Sequence, residues 1–180
     1  MKDFAELLKN YYQLVVKVDR LCSEIMVHCA DEIRCQKGCD SCCRHFSVFW
    51  VEAVNLALAA KQLPEQKLST LRNRAQSFEN DAAVCPLLED GACLLYDARP
   101  IICRTHGLPI LSRNNETHVI DFCPCNFTTM ESIPGNLVIN LDLLNNTLAA
   151  INALFVSRFF DGNPPPTERL AIAEALLITL

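Results

Sequence analysis

The sequence predicts a mainly α-helical fold, in which helices at both ends and in the middle clamp an irregular, cysteine-rich centre with one small β-hairpin. Three observations predict it. Apolar residues recur three and four apart over long stretches near both ends of the chain, the stripe an amphipathic helix buries. Of eleven cysteines, nine lie between positions 35 and 125, where glycine, proline and short polar residues break any regular period. With 51% apolar residues in 180 and a mean hydropathy of +0.16, the chain has enough apolar surface to bury a core, so disorder is not expected.

The first element is a long helix. Phe4, Leu7, Tyr11, Leu14, Val18, Leu21 and Ile25 form one stripe that reaches towards the early thirties. Cys22, Met26 and Cys29 fall beside it, where core packing accounts for them. Cys35-Gln36-Lys37-Gly38-Cys39-Asp40-Ser41-Cys42-Cys43 is a loop, because Gly38 and the Asp40-Ser41 pair are turn chemistry. His45 to Val51 reads as a short extended segment, with Phe49 and Trp50 in the core. Glu52 to Leu63 is helical through Ala53, Ala57, Ala59 and Ala60, and Pro64 stops it. Glu65 to Phe78 is a further helix with Leu68, Leu71 and Ala75 on one face.

Asp81 to Arg104 is irregular. Leu108 to Leu111 and Thr117 to Ile120 flank Arg113-Asn114-Asn115-Glu116 as a hairpin. A clear helix follows with Leu137, Leu141, Leu144, Leu148, Ile151 and Phe155 on one stripe, ended by Asp161-Gly162-Asn163 and Pro164-Pro165-Pro166. Thr167 is placed to N-cap a last helix to Leu180. This length suits a single domain over 1–180: an N-terminal helix at 1–34, a cysteine-cluster region at 35–127 and C-terminal helices at 137–180.

Several function classes drop out. A net charge of −5 and a pI near 5.3 argue against a nucleic-acid footprint, which needs a basic patch or stripe. No stretch approaches the about 20 apolar residues of a membrane span, and the charged Met1-Lys2-Asp3-Phe4-Ala5-Glu6 start is not a secretory signal. The expectation is a reduced, cytoplasmic protein with no membrane or nucleic-acid partner. Only five glycines occur, and none forms a Gly-x-Gly-x-x-Gly or P-loop pattern. Neither a Gly-x-Ser-x-Gly elbow nor a His-Glu-x-x-His helix is present.

Cysteines at this density in a reducing compartment point to metal ligation or redox chemistry rather than disulfides. Cys35, Cys39 and Cys42 have the short spacing that lets thiolates converge on one ion at about 2.3 Å from each sulfur, and Cys43 stands immediately beside them. Neighbouring side chains point apart, so Cys42 and Cys43 serve different ions or opposite sides of one cluster. Cys85, Cys93 and Cys103 form a second group in sequence order, with Cys123 beyond it. Four plus four thiolates suit two zinc sites, two iron–sulfur clusters or one of each, and thiolate ligands alone do not choose between zinc and iron.

At these residues the chain resembles the YkgJ-type cysteine-cluster family, a zinc- or iron-chelating domain named for its CxxCxxCC-like motif. The resemblance runs over about half the chain: Cys35-x-x-x-Cys39-x-x-Cys42-Cys43, Cys85-Pro86-Leu87-Leu88, Gly91-Ala92-Cys93-Leu94-Leu95-Tyr96, Arg99-Pro100-Ile101-Ile102-Cys103-Arg104 and Cys123-Pro124. It implies that Cys35, Cys39, Cys42, Cys43, Cys85, Cys93, Cys103 and Cys123 are the metal ligands. Cys22, Cys29 and Cys125 lie outside the pattern and are taken as packing residues or neighbours of the ligands.

His106, three residues after Cys103, and His45, just after Cys43, are each of a type that replaces a cysteine in mixed sites. The plainer reading leaves both as non-ligating. Beside thiolates, Arg99 and Arg104 either offset charge and receive an anionic substrate or cap carbonyls and pair with carboxylates to hold the loop; the second is preferred. Three function classes therefore stand: a metal-cluster protein with a redox role, a structural zinc domain that serves a protein partner, and a protein-modifying enzyme related to the lysine N-methylases the family includes.

Overall fold

The structure is a computed structural model that describes residues 2–36, 38–78, 84–114 and 117–180. It is mainly helical with small sheets, as expected. Helix α1 spans Phe4–His28 and starts where the Asp3 carboxylate accepts the Ala5 and Glu6 amides, a standard side-chain N-cap. Its buried face is Leu8, Tyr11, Leu14, Val18, Cys22 and Ile25. Cys22 and Cys29 are core residues, whereas Met26 is exposed.

Strand β1 (Ser47–Phe49) runs straight into α2 (Trp50–Ala60), and α3 spans Glu65–Gln76. Nearly all of α2 is buried, which is why its sequence lacks a polar stripe. The irregular stretch contains a minimal hairpin, β2 (Leu88–Glu89) with β3 (Ala92–Cys93), and a short helix α4 (Ile101–Thr105). Strands β4 (Ile110–Asn114) and β5 (Thr117–Asp121) form the anticipated antiparallel hairpin, with Arg113 opposite His118. Residues 115 and 116 of its proposed turn, and 79 to 83, lie outside the described residues.

Two expectations need correction at the C-terminal end. Leu137 is not helical: it sits in a 3-10 turn, and Ile139–Asn140 form strand β6, parallel to β4. Helix α5 is Leu141–Phe159, capped by the Asn140 side chain on the Leu143 amide. Nor does Thr167 cap a long last helix. Arg169–Ala171 form β7, antiparallel to β1, and α6 covers only Ile172–Leu176. The unpaired edge of β1 claims those residues for a ladder, and the Thr167 carbonyl instead accepts the Trp50 indole N–H at 2.7 Å. Among the described residues no helix is long and apolar enough to cross a membrane.

Two hydrophobic clusters result. One joins α1, α4 and α5 through Tyr11, Ile101 and Phe155; the other joins α2, α3 and α6 through Leu56, Leu71 and Leu176. Glu52 ties α2 to α4. Its buried carboxylate accepts the Ile101 amide at 2.9 Å and the Phe49 amide at 3.2 Å. It thereby satisfies the exposed N–H groups of two helix starts, although burial raises its pKa.

Candidate metal centre

The thiols come from three stretches of irregular backbone, the short strand β3 and one helical turn. After α1, the chain enters the Cys35–Cys43 loop, turned at Gly38 (φ +93°). The loop is pinned on both sides. The Cys43 carbonyl accepts the Cys85 amide at 2.9 Å, and Arg44 bridges Val84. This short ladder sets Cys43 beside the Cys85 segment. At the other end the Phe127 amide donates to the Glu32 carbonyl at 3.0 Å, and the Arg34 amide donates to Asn126 Oδ1 at 2.8 Å. That pairing returns Cys123 and Cys125 to the start of the loop.

The thiols consequently fall into two neighbourhoods. In the outer one, partial desolvation and the thiols of Cys35, Cys42, Cys123 and Cys125 push Cys39 up. Burial raises Cys42, followed by the thiols of Cys43, Cys35 and Cys123. Cys125 is raised first by the Cys123 thiol and then by Cys35. In the inner one, burial and then the Cys93 thiol raise Cys43. Burial carries Cys85 up to about 11, with Cys93 and Cys43 adding to it. Burial followed by Cys85, Cys93 and Glu52 carries Cys103 up to about 12.

Sequence order had placed Cys43 with Cys35, Cys39 and Cys42, and Cys123 with Cys85, Cys93 and Cys103. In space the Cys43 backbone pairs with that of Cys85, and Cys35 Sγ and Cys123 Cβ both lie beside Gly107. The Cys42–Cys43 pair marks where the groups adjoin. The groups differ in part in exposure: Cys35, Cys39 and Cys125 are exposed, while Cys42 and Cys123 are half-buried like Cys43, Cys85, Cys93 and Cys103.

Each neighbourhood has its own supports. Outside, the side chain of Asn126, only 1% exposed, donates from Nδ2 to Cys35 Sγ at 3.3 Å and to the Gly107 carbonyl at 2.9 Å. Gly107 (φ +85°) is strained for any side chain, and a Cβ there would stand a tight 3.3 Å from Cys35 Sγ and 3.5 Å from Cys123 Cβ. Sequence reasoning missed both residues; a glycine four positions after Cys103 and an asparagine directly after Cys125 were the available signals. Inside, the Cys85 sulfur accepts the Leu87 amide and the Cys93 sulfur the Leu95 amide, each from two residues further on. The Arg99 guanidinium lowers the pKa of Cys43, Cys93 and Cys103 against the stronger effect of burial.

The remaining candidates are otherwise engaged. Arg99 stacks on Tyr96 with its guanidinium carbon 3.6 Å from the ring centre and donates to the Tyr96 carbonyl at 2.9 Å. Arg104 holds Asp19 of α1 through Nη1, at 2.8 and 2.7 Å from its two carboxylate oxygens, and donates to the Arg99 and Asp97 carbonyls. It is a clamp between α1 and the cysteine loops. His45 Nε2 accepts the Ala173 amide at 3.4 Å and its ring lies 4.3 Å from that of Phe78. His106 packs against Phe46.

Among the described residues, no three His, Cys, Asp or Glu side chains stand together as they would around a metal ion. The donor set nonetheless fits a thiophilic metal. Most of its thiols stand on loops, and the Asn126 amide already donates to the Cys35 sulfur, the kind of contact that stabilises a bound thiolate. Residues 34–124 match the model of the CxxCxxCC family, described as "Putative zinc- or iron-chelating domain". No curated protein and no solved structure matches the chain.

Proposed function

Because the chain belongs to the CxxCxxCC family, we propose that it is a metal-binding protein that chelates zinc or iron through eight cysteines arranged as two four-thiol centres. Cys35, Cys39, Cys42 and Cys123 would hold the outer metal, and Cys43, Cys85, Cys93 and Cys103 the inner one. The observation that carries the reading is the backbone pairing of Cys43 with Cys85, while Cys35 Sγ and Cys123 Cβ both lie beside Gly107. The turn closed by the Cys43 amide on the Asp40 carbonyl sets both cysteines on one short loop, which would serve both centres. Loading draws the thiols of each group together, and the loops that bear them supply the freedom to do so.

Thiolate sets of this kind suit a single tetrahedral zinc ion or an iron–sulfur cluster. A bound metal would supply charge to hold the thiolates ionised and a cross-link between distant segments. The chain's own residues do the rest. Asn126 and the Leu87 and Leu95 amides orient sulfurs, and Arg99 offsets charge on the inner group. A structural role for the inner centre is supported by Cys85 and Cys93, which pack against the second hydrophobic cluster. Metal binding there is part of the folding free energy.

Purification without added metal under anaerobic conditions, followed by metal and sulfide analysis and a visible spectrum, tests this. Two zinc ions per chain and no colour give the zinc form; iron with acid-labile sulfide and broad visible absorption gives the cluster form. A folded chain with free thiols and no metal overturns the reading.

A further inference from the structure

Two phenylalanines bracket the Cys123-Pro124-Cys125-Asn126 stretch. The Asn126 amide donates to the Cys123 carbonyl at 2.8 Å, which closes a tight turn over these four residues. Phe122 and Phe127 meet edge to face with their ring centres 5.3 Å apart. Phe127 is buried in the first hydrophobic cluster, yet its φ is +56°. That left-handed backbone strains every residue but glycine, and a bulky side chain adopts it only when its surroundings impose it. Here the surroundings are the buried ring and the 3.0 Å bond from the Phe127 amide to the Glu32 carbonyl. The reversal at Phe127 leaves the Asn126 side chain against the Arg34 amide at 2.8 Å, the Gly107 carbonyl at 2.9 Å and Cys35 Sγ at 3.3 Å. Cys35 and Cys123 converge on one point: a Cβ on Gly107 would lie 3.3 Å from Cys35 Sγ and 3.5 Å from Cys123 Cβ.

We propose that Phe127 is a positioning residue for the metal centre, whose left-handed backbone and buried ring hold Cys35 and Cys123 as a pair before any ion binds. This rests on the metal-binding reading above. Phe127 ligates nothing and acts through its neighbours. Its backbone reversal aims Asn126 at Cys35, and its ring, clasping Phe122, closes the turn that carries Cys123. Two thiols ordered in advance remove part of the ordering cost that binding would otherwise meet. Substitution separates backbone from ring. Phe127→Ala loses the ring and keeps the strain, whereas Phe127→Gly loses the ring and releases the strain, because glycine takes a positive φ freely. A role in core packing alone gives the opposite order, since glycine is both smaller and more flexible than alanine.

Zinc titration of the full chain against a graded series of chelators, in wild-type, Phe127→Ala and Phe127→Gly forms, tests this. Phe127→Ala should weaken one ion by about 10- to 100-fold, the usual effect of losing support beside a ligand. Phe127→Gly should bind that ion about tenfold more tightly than Phe127→Ala, the size expected from relief of left-handed strain. A second measurement needs no metal. A short bifunctional thiol reagent should bridge Cys35 to Cys123 in the metal-free wild-type chain, and peptide mapping should find that bridge reduced in Phe127→Ala and recovered in Phe127→Gly. Three results overturn the proposal while the metal-binding reading stands: a glycine variant that binds no more tightly than the alanine one, zinc affinities unchanged in both while only the melting temperature falls, or no Cys35–Cys123 bridge in the metal-free wild type. A wild-type chain that takes up neither zinc nor iron defeats that reading, and the proposal with it.

Discussion

The outer and inner thiol groups share a loop and a chemistry, yet the protein treats them differently. The outer one is built at the surface from two chain segments and steadied by a neutral amide, Asn126. The inner one draws on three further segments, lies against the second hydrophobic cluster and faces a cation. The difference teaches that ligand type alone does not set a site's role. Burial and the number of segments joined decide whether losing the metal costs an ion or the fold. A cross-link between distant segments restricts the unfolded chain more than one between near neighbours, so the inner centre should carry more of the stability.

The sharpest break of this comparison is Cys103→Ser. Cys103 lies on α4, which α1 grips through Arg104 and Asp19, so loss of the inner metal should release that clamp. We expect one ion fewer per chain and a fall in melting temperature of about 10 °C, on the scale where 1 kcal/mol moves a chain of this size by 2–4 °C. Cys39→Ser should also remove one ion but lower the melting temperature much less. Equal losses would erase the distinction; metal analysis with calorimetry decides.

Stability against pH should separate the loaded and metal-free forms next. Cys85 and Cys103 are held up at about 11 and about 12 in the folded metal-free chain. A raised folded pKa gives stability that is complete below the unfolded thiol value and disappears as pH rises through the folded one. The metal-free protein should therefore lose stability between about pH 9 and pH 12. The loaded protein has its thiolates already ionised, so it should instead lose metal as the pH falls and protons compete for sulfur. Denaturant titrations of both forms would show the opposite slopes; parallel curves would refute the assignment of these thiols as ligands.

Asn126→Ala is the next smaller change. It leaves the Arg34 amide without its partner and removes the N–H donor from Cys35, a cost of about 1–3 kcal/mol for a buried polar group left unsatisfied. Outer-metal affinity should fall about tenfold or more while the inner metal is unaffected, which competition with a graded chelator reads directly. Gly107→Ala should do least, about 1–2 kcal/mol, from strain at φ +85° and a Cβ 3.3 Å from Cys35 Sγ. Thermal melting with and without metal would show whether that strain falls on the outer centre, as expected, or on the whole fold.

Much of this was legible in the chain. The apolar stripe of α1, the Leu68, Leu71 and Ala75 face of α3 and the β4–β5 hairpin follow from local periodicity and turn chemistry, which neighbours in sequence determine. The cysteine blocks and their spacing likewise announced a metal-binding region, because short loops between thiols are a covalent fact of the chain. Local signals failed at Thr167. A capping residue before an apolar run predicts a helix, but strand β1 takes Arg169–Ala171 as its partner, and a ladder formed with a segment more than a hundred residues away leaves no local trace.

The same holds for the site. The amino-acid sequence by itself determined which residues can ligate a metal and which stretches are free to bring them together. Only the tertiary structure decided the grouping. The Cys43–Cys85 hydrogen bond turns Cys43 inward, and the contacts of Phe127 with Glu32 and of Asn126 with Arg34 bring Cys123 outward. Spacing along the chain sets how far a thiol can reach, whereas backbone pairing between remote segments sets which thiols it meets.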